Sequence, residues 1–196
     1  MALGGVLALA LAATAAFRLR ARAAEALPVY WDVPAFALVD QDGRPRTTAE
    51  LRGAPWVADF IFTRCAGTCP LMTAQLARLE KQAPPGTRLV SITVDPEHDT
   101  PEVLKRYAAD FRAGRDWWFL TGPRSDLYRL AVDGFKLEAM EVPAGQQREG
   151  GDGPFLHSAK LVLVDARGRV RGYYDSSEEA GLARLTADLR ALAVTP

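Results

Sequence analysis

Cysteine and histidine are scarce in this chain, with two of each among 196 residues. Two cysteines are too few for a disulfide scaffold, so the fold has to rest on an apolar core. A hydrophobic content of 48% and a charged content of 24% are ordinary for a globular protein, and the length suits one domain plus an N-terminal extension. Charge of one sign is also lacking. Lys and Arg number 24, as do Asp and Glu, for a formal net charge of zero. Nothing global therefore points to nucleic acid. The chain has no internal repeat and no low-complexity tract.

Long hydrophobic runs are absent apart from the first residues. Met1 to Phe17 is uncharged and rich in Ala and Leu, and Arg18, Arg20 and Arg22 follow. The run is at the lower edge of a membrane span and matches the core of a signal peptide better. Ala21-Arg22-Ala23 fits a small-x-small cleavage site. The arginines lie on the far side of the run, where the positive-inside rule would hold them in the cytoplasm. No basic residue precedes the run, and a basic leader missing upstream of Met1 would account for both features. The expectation is that residues 1–23 act as a signal peptide or N-terminal membrane anchor, residues 24–35 as a linker and residues 36–196 as the folded domain.

Within the domain, Phe36–Val39 reads as a strand and Asp40-Gln41-Asp42-Gly43 as its turn. Thr47–Leu51 is one helical turn. Trp56–Phe62 is an apolar strand, followed by helical character from Leu71 to Lys81, which Ala83-Pro84-Pro85-Gly86 stops. Arg88–Val94 is β-branched and reads as a buried strand. Thr100, Pro101 and Glu102 suit the N-cap, first position and first turn of a helix reaching Phe111. Trp117–Leu120 is an aromatic strand that packs in the core or at a sheet edge. Arg124–Val132 is a short helix and Phe135–Val142 an edge strand. Residues 143–153, rich in Gly and Gln, form an exposed insertion. Ser158–Val164 and Arg169–Tyr174 make a hairpin about Ala166-Arg167-Gly168. Glu178–Ala193 closes the chain as a helix, with Leu182, Leu185, Leu189 and Leu192 at helical spacing. Alternating strands and helices imply an α/β domain with a mixed, mostly parallel central sheet flanked by helices and an N-terminal hairpin extension. A strand leading into a cysteine-bearing helix, with a terminal ββα unit, is the thioredoxin-like arrangement.

Both cysteines fall in Cys65-Ala66-Gly67-Thr68-Cys69-Pro70, at the junction of that strand and helix. Sulfurs there face unsatisfied N–H groups and the positive end of a helix dipole, which predicts a lowered thiol pKa and a nucleophilic or metal-binding sulfur. Four residues apart on one helical turn, the two share a face. They can form a disulfide or hold one metal ion, Cu(I) or zinc by softness. The spacer is one residue longer than the C-x-x-C of disulfide oxidoreductases. Thr63, two residues before Cys65, misses the threonine position of peroxiredoxins. His98, after one strand, and His157, before another, can both lie on the ligand-binding edge of the sheet, and the pattern does not choose between them.

Three blocks do. Phe60–Pro70 resembles F-T-x-C-x-x-x-C-P, Ser91–Pro101 resembles S-x-D-P-x-x-D-T-P, and His157-Ser158 with the strand to Gly168 resembles an H-S/T block. Together, in order and over roughly Phe36 to Leu192, they are similar to the Sco/SenC family of copper chaperones, thioredoxin-like proteins exported or anchored outside the cytoplasm. The resemblance implies a Cu(I)/Cu(II) site with Cys65, Cys69 and His157 as ligands, and Cys65 and Cys69 as a redox-active pair. His98 falls at a variable position and is read as a non-ligand. The family's acidic residue before the histidine is Leu156 here, and the nearest acid is Asp152. Ala166 replaces the proline common in the family's turn. The resemblance also implies a role in assembling the dinuclear copper centre of cytochrome c oxidase subunit II, with a copper donor protein and a thioredoxin-like reductant as further partners, in the periplasm or an equivalent compartment. A thiol–disulfide oxidoreductase acting on the cysteines of that target, or a redox or copper sensor, are the alternatives.

Overall fold

A computed structural model describes residues 13–16, 18, 24–137, 139–141, 155–157 and 159–193. Strand β1, Ala37–Val39, and β2, Pro45–Thr47, form a separate hairpin. Gly43 at its turn has φ 76°, which a glycine adopts without steric cost. A 3-10 turn, Thr48–Leu51, leads to β3, Trp56–Ile61. Then come α1, Thr68–Glu80; β4, Arg88–Thr93; α2, Pro101–Asp110; β5, Trp117–Leu120; and α3, Arg124–Arg129, which continues as a π-helical turn over Leu130–Gly134. A second small hairpin pairs β6, Ala139–Glu141, with β7, Phe155–His157. Strands β8, Lys160–Val164, and β9, Val170–Asp175, and helix α4, Glu179–Leu192, complete the chain.

The central sheet has the order β5-β4-β3-β8-β9. Its first three strands are parallel, and β8 and β9 run antiparallel to their neighbours. The mixed α/β sheet expected from the sequence is thus observed. β3 is central and buried along its whole length, which is why its sequence is apolar almost throughout rather than alternating. Its side chains divide between two faces. Trp56 and Phe60 meet the ring of Phe135 at 6.0 and 5.3 Å between centroids, under the π-helical turn. On the other face lie α1, α2 and α4: Thr73 of α1 shares a 2.9 Å hydrogen bond with Tyr107 of α2, and α1 also contacts α4. Helix α4 sits so close to β9 that a Cβ on Gly181 would stand 2.5 Å from the carbonyl oxygen of Asp175.

Several local expectations shift. α1 begins at Thr68 rather than Leu71. The strand expected over Phe135–Val142 shortens to Ala139–Glu141, because Phe135 is fully buried as a core residue after the π-helical turn. His157 ends a strand of its own rather than leaving a loop. Trp117 is fully buried and donates its indole N–H to Ser91 Oγ at 2.9 Å, although β5 is the sheet edge. The insertion at 143–153 lies outside the described residues, as do Asp152 and most of the expected leader; its residues 13–16 are helical and exposed. Among the described residues, no helix is long and apolar enough to cross a membrane.

Candidate metal centre

The parallel strands β3, β4 and β5 direct their carboxyl ends to one edge of the sheet, and the β3–α1 loop leaves there. Cys65 lies in this loop, ahead of the helix, and Cys69 is the second residue of α1. Both are buried reduced thiols, Cys69 completely. Gly67 stands at the N-cap, where no side chain caps the helix. A sulfur stands in for the missing cap. The backbone N–H of Cys69 donates to Cys65 Sγ at 3.3 Å, satisfying a helix-terminal donor. Cys65 is in turn fixed by donating its own N–H to the Phe62 carbonyl at 3.2 Å.

The electrostatics at Cys69 reverse the sequence expectation of a lowered pKa. The contact with the Cys65 sulfur and burial push its thiol up, with further contributions from the charges of Cys65 and of the buried Asp59; a backbone contact with Phe62 acts the other way. Helix-end stabilisation therefore loses to desolvation and to the second sulfur. Two adjacent buried thiolates are unfavourable unless a cation replaces their protons. A soft monovalent or divalent metal does so, and oxidation to a disulfide removes the charge altogether.

The loop is held from below by carboxylates of the β4–α2 connection. Buried Asp99 accepts the Thr63 N–H at 3.1 Å, the Thr63 hydroxyl at 2.5 Å and the Thr93 hydroxyl at 2.6 Å. Burial pushes its carboxyl up despite these donors, and the neighbouring Asp95 adds to the rise. Asp95 accepts from the Arg64 guanidinium at 2.5 and 3.1 Å. Thr63 and Arg64, the two residues before Cys65, are thereby tied to the connection that follows β4. Behind Cys69, the Thr73 hydroxyl donates to the Cys69 carbonyl at 2.9 Å. Burial, outweighing the hydroxyl contact with Thr73, pushes the Tyr107 phenol up.

The roles of Asp59, Thr63, Asp99 and Tyr107 escaped the sequence reading. The spacing D-P-x-x-D-T-P was a visible signal for Asp99, but its partner Thr63 is 36 residues away in the chain.

The histidines differ in place. His98 is exposed on the β4–α2 connection, and among the described residues no three His, Cys, Asp or Glu side chains converge as a metal site. His157 ends β7, its Cα paired with that of Ala139. β8 starts three residues later and runs antiparallel to β3, with Ala58 opposite Val162 and Trp56 opposite Val164. The chain therefore passes from β7 into β8 at the edge of the sheet where β3 ends, the edge that bears the cysteines.

A thioredoxin-like domain with a buried dithiol at its first strand–helix junction is what the fold and these residues define. The SCO1/SenC family model matches residues 31–193, and the chain belongs to that family. It is 33% identical over 168 residues to the SCO1 protein homolog of Bacillus subtilis, covering 83% of each chain. Among solved structures it is similar to BsSco, a member of the Sco family of cytochrome c oxidase assembly proteins in which a disulfide switch was identified, at 32% identity and a TM-score of 0.73, covering 86% of this chain and 97% of the other. It is also similar to Bradyrhizobium japonicum ScoI with copper bound, at 25% identity and a TM-score of 0.68, covering 82% and 99%.

Proposed function

We propose that this protein is an extracytoplasmic copper-binding chaperone that delivers copper to, or prepares, the dinuclear copper centre of cytochrome c oxidase subunit II. The observation that carries the reading is the pair of buried, reduced and mutually contacting sulfurs of Cys65 and Cys69 at the head of α1. Copper is the cargo. Two thiolates match the softness of Cu(I), and the bound cation offsets the cost of ionising both sulfurs in a buried site. His157 is the third ligand, its imidazole completing a three-coordinate site that remains open to exchange. Delivery proceeds by ligand replacement, as a cysteine or histidine of the oxidase subunit displaces these ligands one at a time. A copper donor protein loads the site and a thioredoxin-like reductant restores the dithiol. The ScoI structure with copper bound and the oxidase-assembly role of the Sco family support this reading.

The protein acts outside the cytoplasm, tethered through residues 1–23 as a membrane anchor or released by cleavage of a signal. This rests on the apolar run and its flanking arginines.

A second reading is favoured by the sulfur contact itself. Oxidation of the two thiols to a disulfide gives up two electrons and two protons, and a disulfide on the target would be reduced in exchange. Cys65 and Cys69 are the redox-active pair in that reading, which makes the protein a thiol–disulfide oxidoreductase for the copper-site cysteines, or a sensor of redox state and copper. His157 separates the readings, because disulfide exchange does not need it. The test is a Cu(I) titration of the reduced protein against a calibrated chelator, with His157→Ala alongside. One tightly held copper per chain, weakened by the substitution, supports the chaperone. Weak copper binding with a readily cycled Cys65–Cys69 disulfide supports the oxidoreductase, and tight binding indifferent to His157→Ala refutes the ligand assignment.

A further inference from the structure

Both cysteines are buried, Cys69 completely. Ligand exchange and disulfide exchange each bring a partner's atom within bonding distance of these sulfurs, so any partner has to seat on the residues that flank them in the chain. That stretch is uncharged: no Asp, Glu, Lys, Arg or His stands between Cys65 and Ala77. Arg64, just ahead of it, is bound to Asp95 at 2.5 Å. Within the stretch, Ala66, Leu71 and Ala74 are exposed, and Gly67, Thr68 and Pro70 are half-buried.

Leu71 is 70% exposed, the most of any large apolar side chain among the described residues. Helix α1 turns Cys69, Met72, Thr73, Leu76 and Leu79 into the interior, so Leu71 stands on the solvent face, against the amphipathic pattern. It shares that face with Gly67 and Thr68, one helical turn earlier, which lie between the cysteines. Helical side chains lean toward the N-terminus, which here is the dithiol end.

A single exposed leucine is ordinary, but the place of this one is not. The first turns of α2, α3 and α4 hold Glu102, Asp126 and Glu179, where carboxylates complement the helix dipole. The first turn of α1 has no acidic residue. A carboxylate beside two thiols would oppose their ionisation, which accounts for the missing acid. It does not account for a leucine, because a neutral polar side chain would avoid that charge as well and stay hydrated. The other exposed large apolar residues, Val29, Tyr30 and Val132, stand in the N-terminal segment and the π-helical turn, outside the dithiol loop and α1.

We propose that Leu71, with the exposed Ala66 and Ala74 of the same stretch, is the seat for an apolar loop of the partner protein, the loop that carries the cysteine or histidine receiving copper or the disulfide being reduced. The proposal rests on the reading of Cys65 and Cys69 as an exchanging dithiol. It deepens that reading by stating what the partner presents: an aliphatic or aromatic side chain next to its reactive group, with no charge facing the start of α1. Burial of Leu71 on contact supplies short-range affinity, and an uncharged seat leaves no ion pair to desolvate as the two surfaces close.

The test loads the reduced full chain with Cu(I) and follows transfer to the soluble copper-centre domain of cytochrome c oxidase subunit II by stopped flow. Leu71→Asp and Leu71→Lys should each slow the second-order transfer by about tenfold or more. Leu71→Met should stay within about twofold of the parent. Extraction of copper by a small chelator and the unfolding midpoint should not change in any of them, because the side chain is exposed and holds no metal. Val132→Asp, on the π-helical turn, should transfer as the parent does. Transfer at the parental rate by both charged variants overturns the seat. So does a rate that falls with one sign of charge and rises with the other, which marks electrostatic steering. An equal loss in Val132→Asp, or altered chelator extraction in the Leu71 variants, overturns it as well. No transfer by the parent refutes copper delivery alone. The seat is then read on reduction of the oxidised acceptor's disulfide by Cys65 and Cys69, which close their own disulfide as they give up two electrons and two protons. Leu71→Asp should slow that reaction about tenfold and leave reduction of oxidised glutathione unchanged. Equal rates with the acceptor, or no reaction with it at all, refute the seat too.

Discussion

The cysteines and the histidine assigned to the copper site rest on different supports. Cys65 and Cys69 follow the fully buried central strand, and their loop is tied by Asp99 and Asp95 to the neighbouring β4. His157 ends a three-residue strand whose only sheet partner among the described residues is β6, outside the five-stranded sheet. One part of the site is thus built into the core, where backbone ladders and buried carboxylates set its geometry. The other is attached at the sheet edge by the short link to β8. The dithiol is therefore the preorganised part of the proposed site, and the histidine is the part whose loss the fold is expected to tolerate.

The sharpest way to break this comparison is at the sulfurs. Cys65→Ser or Cys69→Ser should abolish stable Cu(I) retention while leaving a cooperative unfolding transition; retention of tight copper by either single variant would refute the dithiolate site. Asp99→Ala should cost about 2–4 kcal/mol in unfolding free energy, because it strands the Thr63 and Thr93 donors in the interior. Asp99→Asn should recover part of that loss. Denaturant titration measures both, and an Asp99→Ala protein as stable as the parent would show that the loop is not held this way. His157→Ala should lower copper affinity by at least the roughly 10–100-fold that follows loss of a supporting residue at a metal site. Its unfolding midpoint should move little, within about 0.5 kcal/mol. A large drop in stability would contradict the division between a core-built and an edge-attached ligand.

The smallest effect tests the end of the domain remote from the site. Burial acts to raise the Asp165 carboxyl, but the N–H and guanidinium of Arg169, the guanidinium of Arg171 and the Arg167 N–H outweigh it and hold the pKa below the usual carboxylate value. A depressed folded-state value favours the native state above the unfolded pKa, and that contribution fades as pH falls through the folded one. Acidification below about pH 4 should therefore lose on the order of 1 kcal/mol from this cluster. Asp165→Asn should flatten that part of the stability–pH curve, measured by urea unfolding across the acid range.

Much of the fold was legible in the chain because burial on both faces leaves apolar strands with little alternation, as in Trp56–Ile61 and Arg88–Thr93, and because Thr100 and Pro101 announce a helix start that the structure places there. The strand expected at Phe135 failed for a tertiary reason. That ring fills the space over Trp56 and Phe60, a demand that local propensity does not register. The π-helical turn before it and the short β6–β7 hairpin have no comparable sequence signature. For the site, the cysteine motif was plain, but the direction of the Cys69 shift was not. Dipole reasoning sees only the helix end, whereas burial and a second sulfur depend on what the fold packs around it.

The sequence alone determined the α/β class, the family, the cysteine pair at a strand–helix junction and the candidate histidine, because these follow from local pattern and from motifs contiguous in the chain. Tertiary structure decided that the sulfurs are buried and in contact, and that Asp99 and Asp95 clamp their loop. Those properties arise from residues distant in sequence that parallel strands bring to a common edge, and desolvation and Coulomb interactions act only once the edge is formed.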